Sequence, residues 1–125
     1  MSILLIDDSP DIVEAMAMWL RQNGYVVHPF DNVPDALQAL YDGLRPNLII
    51  LDLFMPNAGG FDFRAAQLRD EHLAPIPVII LTGHETTEAE KARLGVVRIL
   101  SKPIEPDNML AIIDAHGVPK TQSAG

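Results

Sequence analysis

Five polar residues of this chain have the chemistry of a metal or phosphate site. They are Asp7, Asp8, Asp52, Thr82 and Lys102. Three carboxylates brought together repel one another and raise one another's pKa unless a cation sits among them. Carboxylate oxygens are hard ligands, and the chain has no cysteine, so the cluster favours Mg²⁺ or Mn²⁺ over zinc. A lysine ammonium and a threonine hydroxyl add groups that bind phosphate, and the set predicts phosphoryl chemistry.

Asp52 is the candidate nucleophile of this set, because carboxylates can form aspartyl-phosphate intermediates. A metal and Lys102 would neutralise charge on the phosphoryl oxygens in the transition state. The other polar residues have simpler explanations when each is considered alone. Asp7 and Asp8 could cap a helix, Thr82 could end a strand, and Lys102 could be solvated. The fold decides whether they act together.

Four apolar runs and one short β-prone segment predict the strands. They are Ile3–Ile6, Tyr25–His28, Leu48–Leu51, Ile76–Leu81 and Val96–Leu100. Short apolar runs bounded by turn signals are typical of strands buried on both faces of a parallel sheet. Asp52 ends one run, and its charge requires a partner if it is buried there. The carboxyl ends of parallel strands share one edge, where open α/β sheets bind ligands, so we expect the polar residues to converge.

Helical spacing of apolar residues appears between these runs. The first predicted helix starts at Ser9-Pro10 and ends at Gly24, and the second starts at Asp31 or Asn32 and ends at Tyr41. The third ends near Asp70, the fourth spans Thr86–Leu94, and the fifth ends near His116-Gly117. Phe61, Ala65 and Leu68 have the spacing of a helix and predict the third one. Strands and helices alternate five times, which predicts one α/β domain with helices on both faces of a parallel sheet.

Composition excludes several other classes of protein. The chain of 125 residues is 48% apolar and is long enough for one domain with a core. It has a net charge of −8 and no basic cluster, which argues against direct binding of nucleic acid. No apolar run approaches the roughly 20 residues of a membrane-spanning helix, and no secretion signal is evident. We therefore expect a cytoplasmic protein without membrane contact.

The ordered motifs resemble the receiver domain of bacterial two-component response regulators. They are Asp7-Asp8, Asp52 with Met55-Pro56 and Gly59-Gly60, Thr82-Gly83, and Lys102-Pro103. The resemblance extends from Ile3 to about Ala115. It implies a flavodoxin-like (βα)5 doubly wound sheet with strand order 2-1-3-4-5. We expect a receiver domain over residues 1–117 and a disordered polar tail over residues 118–125.

The resemblance also implies a role for each motif. Asp52 would accept a phosphoryl group from a histidine kinase or a histidine phosphotransfer protein. Asp8, Asp52 and the backbone carbonyl of Phe54 would bind Mg²⁺, and Asp7 would hold a water molecule on the metal. Thr82 and Lys102 would contact the phosphoryl group and report its presence to a downstream protein.

Further positions follow from the same resemblance. Phe54 and His84 lie two residues past Asp52 and Thr82, where the family tunes the lifetime of the phosphoryl group. Ile12, Ala15 and Ile104 lie where receivers dock their kinase or phosphotransfer partner, although ordinary packing around the first helix explains them equally well.

Two features depart from the family pattern. Ile99 occupies the position, three residues before the lysine, where receivers commonly carry an aromatic residue that turns inward on phosphorylation. The segment from Thr82 to Lys102 is also about two residues shorter than usual, within or beside the fourth helix. These departures concern the output of the signal, while the residues for phosphate acceptance are complete.

The function predicted first is a phosphoacceptor switch that catalyses its own phosphorylation and dephosphorylation and acts on no separate substrate. The alternative is a phosphohydrolase or phosphotransferase that uses Asp52 covalently on a small phosphate ester. The alternative lacks an obvious substrate lid, and Phe54 occupies the position where such enzymes place a second acid. A nucleotide-binding protein is disfavoured because no phosphate-cradling glycine loop follows a strand.

Overall fold

The computed structural model describes residues 2–53, 59–83, 85–95, 98–102 and 105–115. Within them strands and helices alternate in the order β1 Ser2–Ile6, α1 Pro10–Gln22, β2 Val26–Phe30, α2 Val33–Tyr41, β3 Leu48–Asp52, α3 Gly60–Arg69, β4 Val78–Thr82, α4 Glu88–Leu94, β5 Arg98–Ser101 and α5 Pro106–Ala115. The five strands form one parallel sheet in the order β2-β1-β3-β4-β5. The predicted flavodoxin-like α/β fold is therefore confirmed.

The three central strands are apolar because helices cover both faces of the sheet. Every residue of β1, β3 and β4 is buried. Successive residues of a strand point to opposite faces, so Leu5 packs with α1 and α5 while Leu4 packs with α2, α3 and α4. This burial explains why the central strands read as continuous apolar runs rather than as alternating ones.

Local signals set the ends of several helices. Ser9 and Pro10 begin α1, and Gly24 follows its end with φ +94°, a conformation that glycine adopts without a steric penalty. The side chain of Asn32 accepts a hydrogen bond from the amide of Asp35 at the start of α2. Thr87 caps α4 in the same manner. These starts agree with the sequence prediction to within two residues.

The third predicted helix is present as α3, Gly60–Arg69, but the residues whose spacing predicted it do not form its buried face. Ala65 and Leu68 are exposed and Phe61 is only half-buried, whereas Phe63, Arg64 and Gln67 are buried. The apolar residues of α3 lie on more than one side of the helix, so their spacing does not identify its buried face. Arg64 and Gln67 are tolerated inside because their polar atoms have hydrogen-bond partners there.

In the part of the chain that the structure describes, no helix combines the length and the apolar character that crossing a membrane requires.

Candidate functional site

The candidate site lies at the edge of the sheet where the parallel strands end. Asp52 and Thr82 are the last residues of β3 and β4, Asp7 follows β1, and Lys102 follows β5. The backbone amide of Lys102 donates to the carbonyl of Thr82 at 2.8 Å. Regular pairing therefore continues to the end of each strand, and its register sets the positions of these four residues along the strand direction.

The three carboxylates converge as the sequence predicts. Asp7, Asp8 and Asp52 each offer a carboxylate oxygen, and these oxygens lie within 4.8 Å of one another. Asp7 and Asp52 are buried, whereas Asp8 is exposed. Three hard oxygen donors of this kind, open to solvent on one side, fit Mg²⁺ or Mn²⁺, which keep several of their water ligands.

Lys102 joins the two buried acids. Its Nζ lies 3.3 Å from Oδ2 of Asp7 and 3.4 Å from Oδ1 of Asp52. One ammonium therefore faces two buried carboxylates, with Asp8 as a third acid beside them. The described side chains leave the site with an excess of negative charge, which a divalent cation would offset.

The pKa of Asp52 reflects this imbalance. Burial raises the pKa of Asp52, the neighbouring Asp7 carboxylate raises it further, and the Lys102 ammonium only partly offsets the two. Burial alone would lower the pKa of Lys102, but Asp7 and Asp52 outweigh burial and raise it. Lys102 is therefore firmly cationic, while Asp52 is costly to ionise in the absence of a further cation.

Asp7 also serves the helix that follows it. Its Oδ1 accepts a hydrogen bond from the amide of Ser9 at 3.1 Å, and the Ser9 side chain makes no cap. Asp7 therefore supports the backbone just before α1, whose N-cap residue is Ser9, and its place in a metal site stays a prediction. One oxygen steadies the start of α1, and the other faces Lys102.

The predicted reporting residues differ in their surroundings. Thr82 is buried at the end of β4, next to Ser101 of β5 in the ladder. Ile99 pairs with Ile80 and packs against the core on the face covered by α2, α3 and α4. Its aliphatic side chain has no ring to turn inward.

The predicted docking residues Ile12 and Ala15 are exposed on α1. They line an apolar groove of about 650 Å³ between α1 and α5, together with Trp19, Met109 and the side chain of Lys102. The groove therefore opens beside the acidic site. The sequence did not reveal it, because its walls come from α1 and α5, which begin 96 positions apart in the chain.

Other predicted positions lie outside the described residues. They are Phe54, with its assigned metal carbonyl and its effect on phosphoryl lifetime, His84, and Ile104. The predicted tail over residues 118–125 also lies outside them.

Fold and site together define a class: a doubly wound α/β domain with an acidic triad and a lysine at the carboxyl edge. Residues 3–114 match the family described as response regulator receiver domain. The chain belongs to this family. It is a receiver domain of the kind found in two-component response regulators, which favours the phosphoacceptor prediction over the phosphate-ester enzyme.

Individual relatives agree with this assignment. The chain is 37% identical over 116 residues to the DNA-binding dual master transcriptional regulator RpaA of Synechocystis sp., covering 90% of this chain and 47% of RpaA. It is 31% identical to protein PilH of Pseudomonas aeruginosa, covering 90% of this chain and 94% of PilH. The chain thus spans about half of one relative and nearly all of the other.

Solved structures give the same fold. The chemotaxis protein CheY4 of Vibrio cholerae superposes with a TM-score of 0.82 at 28% identity, covering 91% of this chain and 96% of CheY4. The receiver domain of a signal transduction histidine kinase from Syntrophus aciditrophicus also gives 0.82 at 28% identity, covering 99% and 96% of the two chains.

Proposed function

We propose that Asp52 is the phosphoacceptor of this receiver. The observation that carries the proposal is the contact of Lys102 with both Asp52 and Asp7, inside a cluster of three carboxylates at the end of a central strand. A nucleophilic carboxylate, a fixed ammonium and adjacent acids for a cation are the groups that phosphoryl transfer requires.

In the proposed reaction a carboxylate oxygen of Asp52 forms a bond to the phosphorus of a phosphohistidine. The P–N bond breaks, and the imidazole of the donor histidine is the leaving group. Lys102, already 3.4 Å from Asp52, compensates charge on the phosphoryl oxygens. The hydroxyl of Thr82 is the candidate hydrogen-bond donor from β4. Dephosphorylation is attack of water on the same phosphorus, which restores the carboxylate and releases inorganic phosphate.

Asp7, Asp8 and Asp52 are the residues that would hold the divalent cation, and the carbonyl of Phe54 remains a proposed fourth ligand. A bound Mg²⁺ supplies charge neutralisation for the phosphoryl oxygens and for the acids themselves. Phe54 and His84 remain proposed determinants of phosphoryl lifetime.

The proposed donor is a histidine kinase or a histidine phosphotransfer protein that docks against α1. The exposed Ile12 and Ala15 support this surface, because they border the apolar groove that opens beside Lys102. Ile104 remains part of the same proposal. The proposed receiver unit ends near residue 117, since the family match ends at residue 114 and α5 is described up to Ala115. In the proposed role the protein switches contacts with a downstream protein and turns over no separate substrate.

Intact-mass analysis after incubation with Mg²⁺ and acetyl phosphate tests the proposal. We expect one added phosphate on the wild type, loss of the label in Asp52→Asn, and full labelling of the control Asp42→Asn, whose side chain is exposed at the far end of α2. Equal labelling of the wild type and Asp52→Asn, or labelling of neither, would contradict it. Sustained turnover of phosphate esters would support the enzyme alternative.

A further inference from the structure

The short helix α4 is held mainly at its C-terminal end. Of its seven residues, Glu88–Leu94, only Leu94 is buried. A helix of fewer than two turns is not stable in isolation, so its position depends on contacts with its neighbours. Those contacts therefore decide how α4 can move.

Arg64 of α3 makes one of these contacts, a hydrogen bond to the end of α4. Its side chain is buried, and its Nε donates to the backbone carbonyl of Leu94 at 2.6 Å. The last carbonyls of a helix lack partners within the helix and carry partial negative charge, so a guanidinium is a favourable cap for them. Arg64 thus satisfies and fixes the end of α4.

Arg64 is itself held by a second buried residue. Its Nη1 donates to Oε1 of Gln67 at 2.8 Å. The amide nitrogen of Gln67 in turn donates to the carbonyls of Leu73 and Ile76, at 3.0 and 2.9 Å, in the connection that leads into β4. A continuous line of hydrogen bonds therefore joins the end of α4, the middle of α3 and the approach to β4.

Two further features occur at the C-terminal end of α4. The guanidinium of Arg93 lies over the ring of Phe61, 4.2 Å from its centroid, and connects α4 to α3 a second time. Gly95, with φ +76° and ψ −148°, ends α4 in a conformation that is almost restricted to glycine. It lies beside Arg64, since a Cβ built on it would come within 3.5 Å of Nη2.

The other end of α4 is attached differently. Thr87 and Glu90 cap each other within the helix, so these bonds do not fix α4 to the rest of the molecule. In the preceding loop, the buried hydroxyl of Thr86 has no hydrogen-bond partner among the described residues. This loop follows Thr82, at the edge that carries Asp52.

We propose that Arg64 is a positioning residue that fixes the C-terminal end of α4 to α3, so that phosphorylation moves α4 by rotation about this end. The inference rests on the proposed function, because it assumes that a change at Asp52 reaches the loop after Thr82. It assigns the moving part to the first turn of α4 and the pivot to the contact between Arg64 and Leu94.

Residue-resolved amide hydrogen exchange tests both parts. The amide of Lys91 bonds to the carbonyl of Thr87 near the start of α4, and the amide of Gly95 bonds to the carbonyl of Lys91 at its end. Beryllofluoride, a phosphoryl mimic, is added to the wild type with Mg²⁺. We expect the rate of amide exchange at Lys91 to change at least about threefold and the rate at Gly95 to stay the same. Equal changes at both amides would overturn the pivot.

The substitution Arg64→Met removes the donors and keeps a long side chain. We expect exchange at Gly95 to rise about tenfold or more, with and without beryllofluoride, because the end of the helix loses its cap. The control Arg69→Met, on the exposed side of α3, leaves exchange as in the wild type. If Arg64→Met does not fold, Arg64→Lys replaces it. We then expect a smaller rise in exchange at Gly95, because the ammonium is still a cationic donor but lacks the planar fork of the guanidinium.

The anchoring role is overturned if the amide of Gly95 exchanges at the same rate in the folded Arg64 variants as in Arg69→Met. Anchoring is measured without phosphate and therefore stands apart from the proposed function. A wild type that accepts no phosphate contradicts the proposed function and the pivot, but not the anchor.

Discussion

At the scale of single residues, the site is defined by one ammonium shared between two buried acids. Lys102 contacts Asp7 and Asp52 at nearly equal distances. Because one positive charge cannot balance three carboxylates, burial and repulsion dominate at Asp52 and raise its pKa. The folded protein therefore holds the Asp52 carboxylate, our proposed phosphoacceptor, at a cost in stability, as functional sites commonly do.

This imbalance predicts that Asp52→Asn stabilises the protein at neutral pH without divalent cations. Ionisation of a carboxyl whose folded pKa is raised costs stability, and the cost grows as pH rises above the ordinary range of an aspartate. We expect the free energy of unfolding to rise by about 1 kcal/mol at pH 7 and to match the wild type near pH 3. Lys102 keeps its contact with Asp7 in this variant.

Urea unfolding over this pH range measures the effect, and Asp42→Asn, at an exposed position, is the control. Added Mg²⁺ should reduce the gain, because a cation among the acids removes the repulsion that the substitution relieves. A lower free energy of unfolding for Asp52→Asn at pH 7 would mean that its ion pair with Lys102 outweighs burial and repulsion.

At the scale of secondary-structure elements, α3 connects the site to the rest of the molecule. It begins at Gly60, whose amide donates to the carbonyl of Leu53 at 2.9 Å, one residue after Asp52. Its buried Arg64 holds the end of α4. A single helix thus contacts both the strand of the candidate phosphoacceptor and the helix that we propose to move.

The start of α3 predicts a steric effect of Gly60→Ala. A Cβ at this position would lie 2.9 Å from Cα of Leu53 and 3.1 Å from the carbonyl oxygen of Asp52, and backbone atoms cannot turn aside as a flexible side chain does. We expect the free energy of unfolding to fall by about 2 kcal/mol, the usual size of an overpacking penalty. Phosphate labelling should fall as well, since the strand end must shift.

Gly83→Ala is the matched control for this variant, because a Cβ there meets no atom of the described residues within 4 Å. Urea unfolding of the two variants gives the comparison. Equal stability of Gly60→Ala and the wild type would show that α3 can begin farther from β3 without cost.

At the scale of the whole molecule, the first and last parts of the described chain are joined by a buried tyrosine. Tyr25, just before β2, donates its hydroxyl hydrogen to Asp114 near the end of α5, 89 positions away. Burial raises the pKa of Tyr25, and the hydrogen bond and charge of Asp114 raise it further, so the hydroxyl keeps its proton. The contact fastens α5 at the edge of the sheet opposite the acidic site.

This contact predicts that Tyr25→Phe lowers the free energy of unfolding by about 1.5 to 3 kcal/mol, the usual contribution of a hydrogen bond to a charged partner. Tyr41→Phe, which removes the hydroxyl of an exposed tyrosine on α2, should have no effect. Urea unfolding at pH 7 distinguishes the two. An equal response of both variants would assign no stability to the contact between Tyr25 and Asp114.

The alternation of strands and helices could be predicted from the sequence, and so could the meeting of Lys102 with three acids. Apolar runs mark the buried strands of a parallel sheet, and a polar residue such as Asp52 or Thr82 at the end of a run marks its carboxyl edge. These are local signals, so neighbours in the chain suffice to read them. The convergence of Asp7, Asp8 and Asp52 then followed from the topology of a parallel sheet.

Contacts between side chains far apart in the sequence could be identified only in the folded molecule. The inner face of α3, the contact of Arg64 with Leu94 and that of Tyr25 with Asp114 have no periodic signal. A buried polar residue is specified by the acceptor that it reaches, and that acceptor lies 30 positions away for Arg64 and 89 for Tyr25. Local propensity cannot encode such a pairing, because it exists only once the helices have packed on the sheet.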